Sequence, residues 1–296
     1  MLKPSLDDLF KSSIRSVLKN KSRTLLTTLG VIIGVTSVIL LTSIGNGLKI
    51  YINQQFETLG SNTVYISPGK IFSDNGGFNR SGANASTMIS TSFTQKDLNN
   101  LKRNLKSSIV MPMKTASGEI KSNKVKKTVA VIGTDYLYGP NNNAAPSEGN
   151  GRWFTKEEED KKSNVLILGY SIANDLFPSG HVLGKKIIIS GKSYKVIGVN
   201  DKKGGGFGGS GLDDYIYVPL EVANNLSGNE KIQQIVVKVP DKNQIENTKQ
   251  EIKTILSKYY DEDAFSVFDS AQLLNSINAI ISTLTIALTG IAAISL

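Results

Sequence analysis

Cysteine is absent from these 296 residues, and histidine and tryptophan occur once each. Without a thiol no disulfide framework can support the fold, so a domain of this length must hold itself together by packing. Without a Cys or a second His, neither a typical zinc set nor a Cys/His nucleophile pair can be built around His181, which sits just after the Pro178-Ser-Gly180 turn. Charge is missing from two long stretches: 25 residues from Thr24 to Leu48 and 27 from Ser270 to Leu296.

The first stretch holds 13 Leu, Ile or Val residues against seven Thr or Ser, four Gly and one Asn. Each aliphatic residue favours insertion by about 0.3 to 0.6 kcal/mol at mid-bilayer. At about 1.5 Å per residue the run exceeds a hydrocarbon core of roughly 30 Å, so it can span with tilt or continue as helix beyond the membrane. A cleaved signal peptide and a buried core helix are the alternatives. The 23 preceding residues are long for a signal's charged region, and no A-x-A site follows.

Those residues, 1–23, carry six basic and two acidic side chains, a net of +4, which places the N-terminus on the cytoplasmic side. Residues 49–269 then lie outside, and the second run, 270–296, leads the chain back. The rest of the formal +9 is spread without a dense cluster or an interleaved aromatic set, so nucleic acid is not an expected partner. Residues 5–18 put Leu6, Leu9, Phe10, Ile14, Val17 and Leu18 on one helical face opposite Asp7, Lys11 and Arg15. That pattern suits an amphipathic helix on the inner lipid surface, or a plain solvated helix with one packed face.

Within the first span, Gly30 and Gly34 form a GxxxG, and Ser37 extends the same small-residue face, where a neighbouring helix could approach closely. Leu48, Ile52 and Phe56 continue at helical spacing beyond the span, and Ile277, Ile281 and Leu284 mirror them in the last run. Both membrane helices are therefore expected to protrude as amphipathic stalks. Between them the pattern mixes α and β. Strands are expected at 62–67, 126–134, 164–169, 213–220 and 232–239, with a hairpin over KKIIISGKSYKVIGV that turns at Gly191-Lys192. Thr94 with Asp97 and Thr155 with Glu158 read as capping boxes, and further helices fit 171–177 and 244–259. Segments 73–88, 140–150 and 203–211, rich in Gly, Asn and Ser, read as mobile loops.

Motifs for chemistry are weak. Gly206-Phe-Gly208-Gly209-Ser-Gly211 matches the dinucleotide fingerprint, but the fingerprint needs a helix to follow, and DDYIYVPL reads as a strand. Gly191-Lys192-Ser193 ends like a phosphate-binding loop, yet Lys occupies position 186 where Gly is required. The acidic runs at 157–160, 213–214 and 261–263 read as solvated, the first also complementing a helix N-terminus. No catalytic, cofactor-binding or metal-binding residue is assigned.

Several stretches together resemble the MacB-like permeases of ABC transporters, with their FtsX-type membrane part. NKSRTLLTTLGVIIGVTSVILLTSIGNGLK resembles that family's basic flank and first span, and FETLGSNTVYISPG resembles the opening of its outer domain. GRWFTKEEEDKKSNVLILGYSIANDLFP, GKKIIISGKSYKVIGV and DDYIYVPLEVA resemble its later blocks, in the same order. The resemblance implies a membrane protein of the α+β class: two transmembrane helices with stalk extensions around a mixed α/β extracytoplasmic domain. That domain would have a porter-like part at 49–138 and 219–269 and a β-rich insertion at 139–218. It also implies a dimer of permease copies, contact with membrane lipid, a separate cytoplasmic ABC ATPase that does the hydrolysis, and an extracytoplasmic adaptor as a further partner. The family has four spans, so this chain is expected to be a fragment that stops in its second. The role implied is to transmit ATP-driven motion outward. The alternative is a non-transporting regulator of a cell-wall hydrolase or a sensor kinase.

Overall fold

The computed structural model describes residues 21–59, 62–72, 92–122, 125–178, 180–204 and 212–294. The expected amphipathic helix at 5–18, the segment 73–88 and the glycine fingerprint at 206–211 lie outside the described residues. The chain forms two compact units: Ile52–Ser276, and the described parts of Met1–Tyr51 with Ile277–Leu296.

In chain order the elements are α1 (Lys21–Leu59), β1 (Thr63–Pro68), α2 (Gln95–Asn104), β2 (Ile109–Ser122), β3 (Val125–Thr134), α3 (Tyr138–Asn141), α4 (Lys156–Asp160), β4 (Val165–Leu168), α5 (Tyr170–Leu176), β5 (Lys186–Ile189), β6 (Lys192–Val199), β7 (Tyr215–Pro219), α6 (Leu220–Ser227), β8 (Gln234–Lys238), α7 (Ile245–Leu256), β9 (Phe265–Asp269) and α8 (Ser270–Ile294). One continuous network of strands contains two lobes. The first is the antiparallel sheet β2-β8-β1-β9, with α2 joining β1 to β2 and α7 joining β8 to β9. This is the split βαβ arrangement of ferredoxin-like sheets. Its helices share one face, where Leu98, Leu101 and Leu105 from the α2 segment and Ile252 and Leu256 from α7 cover Val64, Ile66, Ile235 and Val237.

The second lobe lies between β2 and β8 in the chain. Its strands close into a ring, β2-β3-β7-β4-β6-β5, because β2 pairs with β3 on one side and with β5 on the other. Closure removes exposed sheet edges. The alternation of β4 and β7 feeds two cores at once: Leu166, Leu168, Ile216 and Val218 enter one, while Val165, Ile167 and Tyr217 enter the other with Trp153 and Phe154. Leu166, Leu168 and Ile216 are fully buried, and each stabilises the fold by about 1.5 to 3 kcal/mol.

The capping boxes at Thr94 and Thr155 form as the sequence indicates: the Thr94 amide donates to Asp97 at 2.8 Å and the Thr155 amide to Glu158 at 3.0 Å. Three expectations need correction. The hairpin turns at Ser190-Gly191, not Gly191-Lys192, because Lys192 already pairs with Ile189; φ values of +48° and +84° at the two turn residues match the left-handed pair a tight hairpin requires. The expected strand at 213–220 is shorter, since Leu212–Asp214 form a single 3-10 turn and Leu220 opens α6. The segment 140–150 is packed: Ala144 and Asn142 are buried, and the Val199 amide donates to the Asn150 carbonyl at 2.9 Å. The strand ring of the second lobe includes β2 and β3, which precede residue 139 in the chain.

Candidate functional site

The two apolar helices are the long elements of the chain, and both satisfy the length and hydropathy needed to cross a bilayer, over Thr24–Gln54 and Ser270–Ile291. Leu25, Leu26, Ile39 and Ile44 on α1 and Leu284, Ile286 and Ile291 on α8 are all more than half exposed, as side chains facing lipid would be. Their hydroxyl residues fold back on the helix backbone. Ser37 donates to the Ile33 carbonyl at 2.8 Å, Thr42 to Val38 at 2.9 Å, Thr283 to Ala279 at 2.9 Å and Thr285 to Ile281 at 2.7 Å. Such bonds remove the penalty of placing hydroxyls in hydrocarbon.

α1 and α8 approach closely at Gly45. A methyl group there would lie 2.5 Å from the Thr285 Oγ1, so only glycine fits without moving Thr285. Gly30 stands in open space, Gly34 is buried and Ser37 is half-buried. Glycine spacing alone does not distinguish Gly45 from Gly30; only the position of α8 does. Of the stalk positions, Ile52, Ile277 and Ile281 are buried, whereas Leu48 and Leu284 are exposed, and the side chain of Phe56 lies outside the described residues.

The root of α8 is tied to neighbouring elements. α1 leads into β1, β9 leads directly into α8, and β1 and β9 are paired antiparallel with Val64 opposite Asp269. Asp269 is the last residue of β9. Its Oδ1 accepts from the Gln272 amide at 2.8 Å, capping the first turn of α8, and its Oδ2 accepts from Lys249 Nζ of α7 at 3.1 Å. Lys249 also pairs with Glu246 at 3.1 Å. Burial alone pulls the Lys249 ammonium down, but its bonds to Glu246 and Asp269 outweigh that and hold it above the usual lysine range.

Further polar contacts join the two lobes. Lys114, in the middle of β2, is fully buried and donates to Asn224 Oδ1 at 3.0 Å, to Asn229 Oδ1 at 2.9 Å and to the Asn229 carbonyl. Its three protons thus meet three acceptors. Burial lowers its pKa, with Glu230 and Glu221 partly offsetting the shift. Lys102 of α2 reaches across to the buried Asp135, which follows β3, at 3.0 Å. Burial raises the Asp135 carboxyl despite that partner. Nearby, Glu159 accepts from the Tyr136 amide at 2.8 Å and is raised by burial too. The acidic run of α4 is therefore structural in part, with Glu158 held in a two-pronged pair by Arg152 at 2.7 Å for each bond.

The family model of the MacB-like periplasmic core domain matches residues 24–255. A macrolide export ATP-binding/permease protein MacB from Chlorobaculum tepidum is 31% identical over 286 residues, which cover 92% of this chain and 42% of that protein. An ABC transporter permease of Methanocaldococcus jannaschii is 29% identical over 304 residues, covering 98% of this chain and 68% of its own length. The crystal structure of the periplasmic region of MacB from Actinobacillus actinomycetemcomitans superposes with a TM-score of 0.57 at 22% identity, over 77% of this chain and 97% of that one, and shows the shared fold. The chain spans 42% of the length of the MacB relative from Chlorobaculum. With the family model covering most of its length, the two-lobed domain and the apolar helices that flank it place the chain in the MacB-like family of ABC transporter permeases.

Proposed function

We propose that the chain is the permease part of an ABC-type exporter that hydrolyses nothing itself and carries motion from a separate cytoplasmic ATPase to its outer domain. In this reading residues 1–23 are cytoplasmic, 24–48 form the first span, 49–269 lie outside and 270–296 return through the membrane. The permease works as a dimer, with the outer domain available to an adaptor, and the cargo is a peptide, lipid, lipoprotein or drug.

One observation carries the proposal: α8 starts at the residue after β9, Asp269 fixes its first turn to both β9 and α7, and β9 is paired directly with β1, the strand that follows α1 in the chain. A displacement of α8 would be delivered directly to β9 and α7, which is what a transmission element requires. The test uses the absence of native cysteine. Spin labels at Ile50→Cys and Ala279→Cys, on exposed helix positions, report the helix separation in nanodiscs containing the chain and its ATPase. Trapping the ATPase with nucleotide should change the distance distribution, and identical distributions with and without nucleotide would rule the transmission role out.

A further inference from the structure

A cleft of about 440 Å³ opens in the first lobe between the end of α7, the turn Glu262–Ala264, β9 and the root of α8. Its walls are set by backbone contacts. Ser266 Oγ donates to the Gly69 carbonyl at 2.6 Å and accepts from the Ile71 amide at 2.8 Å, and the Gly69 amide donates to the Ala264 carbonyl at 2.8 Å. The cleft is thus formed before anything enters it, and its volume falls in the range of roughly 300 to 1,000 Å³ typical of small-molecule sites.

The chemistry of the lining is dipolar. Lys70 and Asp263 pair with each other at 3.1 Å, which leaves Lys253 and Glu262 facing the cleft without an ion-pair partner among the described residues. Phe72 and Phe265, both buried, supply an apolar surface beside them. The lining carries two cations and two anions, so a ligand with a single charge is attracted by one of the remaining side chains and repelled by the other, whereas one ammonium and one anionic group on a short stem meet opposite charges at both ends.

We propose that this cleft binds a zwitterionic group of that kind and that α8 reads its occupancy. Gln272 lines the cleft, and its backbone amide is the one Asp269 caps. A ligand that fills the cleft therefore lies beside the helical turn that Asp269 caps. The proposal deepens the transmission reading, since it rests on α8 being the moving element. Two sources offer this chemistry: a short peptide or amino acid, and the phosphoethanolamine headgroup of a lipid.

The experiment places a fluorophore at Ala271→Cys, an exposed position in the first turn of α8 and the only thiol in the chain. The whole chain is studied in nanodiscs of phosphatidylglycerol. Trialanine with free termini should give a saturable change in emission, and its N-acetylated, C-amidated form should bind at least tenfold more weakly. Lys253→Met and Glu262→Gln, both surface changes, should each weaken the response at least tenfold. Adding phosphatidylethanolamine to the discs separates the sources: a change sensitive to the same two substitutions, without peptide, identifies the headgroup. No saturable response to either probe, or one unaltered by both substitutions, overturns the proposal. The nucleotide-driven distance change between Ile50 and Ala279 is read independently, so failure here leaves the transmission reading standing or falling on its own test.

Discussion

The Lys249 ammonium of α7 lies 3.1 Å from the carboxylate of Asp269, the residue at which β9 becomes α8. Both side chains are only about a tenth exposed, at 11% and 13%. Breaking a pair this well buried leaves an uncompensated charge, whereas losing both partners together removes the problem. Lys249→Met is therefore expected to destabilise the chain by about 3 kcal/mol. Lys249→Met with Asp269→Asn should cost less than the two single changes added together, because neither charge of the pair is then left facing a lost partner. Urea titration of the four variants in one detergent checks this, and strict additivity would show that the pair is not coupled.

The approach of α1 to α8 gives a sharper test than the glycine motif does. Gly45→Ala drives a methyl group to 2.5 Å from the Thr285 Oγ1, and that hydroxyl is held to the Ile281 carbonyl at 2.7 Å. The helices should move apart, and Thr285→Ala in the same chain should restore their separation by removing the clashing atom. Gly30→Ala should leave the helix separation unchanged, because among the described residues no atom outside its own stretch of helix lies within 4 Å of the added carbon. Spin-label distances between the two helices provide the reading; equal effects at Gly30 and Gly45 would place the crossing elsewhere.

What was legible in the sequence follows from how local each signal is. A capping box needs only four consecutive residues, so Thr94 with Asp97 and Thr155 with Glu158 could be read directly. β3 was legible from its apolar run. β2, the longest strand at 14 residues, was not, because Pro112, Lys114 and Gly118 interrupt its pattern. Each interruption is explained only by distant partners: Pro112 gives its carbonyl to the Thr134 hydroxyl at 2.7 Å, Lys114 meets Asn224 and Asn229, and Gly118 leaves room for Ile189. The same holds at the helix roots. Spacing showed that Ile277 and Ile281 share a helical face, but nothing in it marked Asp269 or Gly45, whose roles depend on residues that are remote in the chain.

The turn of the β5–β6 hairpin distinguishes two placements by a single residue. Ser190 and Gly191 both have positive φ, a conformation that costs roughly 1 to 2 kcal/mol for an ordinary L-residue and nothing for glycine. Gly191→Val should therefore destabilise by about 1 to 2 kcal/mol. Ser190→Asn should stabilise by a few tenths of a kcal/mol, since Asn tolerates the left-handed region better. Lys192→Thr should be close to neutral, because Lys192 is an exposed strand residue. A destabilising Ser190→Asn would count against this turn.

Sensitivity to rising pH should arise where the lobes meet. Burial raises the carboxyl pKa of both Asp135 and Glu159 above the usual carboxylate range. Between the ordinary value and the raised one, the folded state holds protons that the unfolded state has released. Stability contributed by these groups therefore falls as pH rises through that window and levels off once the folded groups are ionised. Above the window Asp135 is a buried anion that depends on Lys102 at 3.0 Å, so Lys102→Met should be more damaging at pH 7 than at pH 4, where protonation relieves the unpaired charge. Asp135→Asn should flatten this pH dependence without abolishing folding, since the amide oxygen can still accept from the Leu137 backbone amide, which lies 3.2 Å from Oδ1. Denaturation midpoints at pH 4, 5.5 and 7 decide the matter: a Lys102→Met penalty that does not change with pH would mean that Asp135 titrates as it does in the unfolded chain.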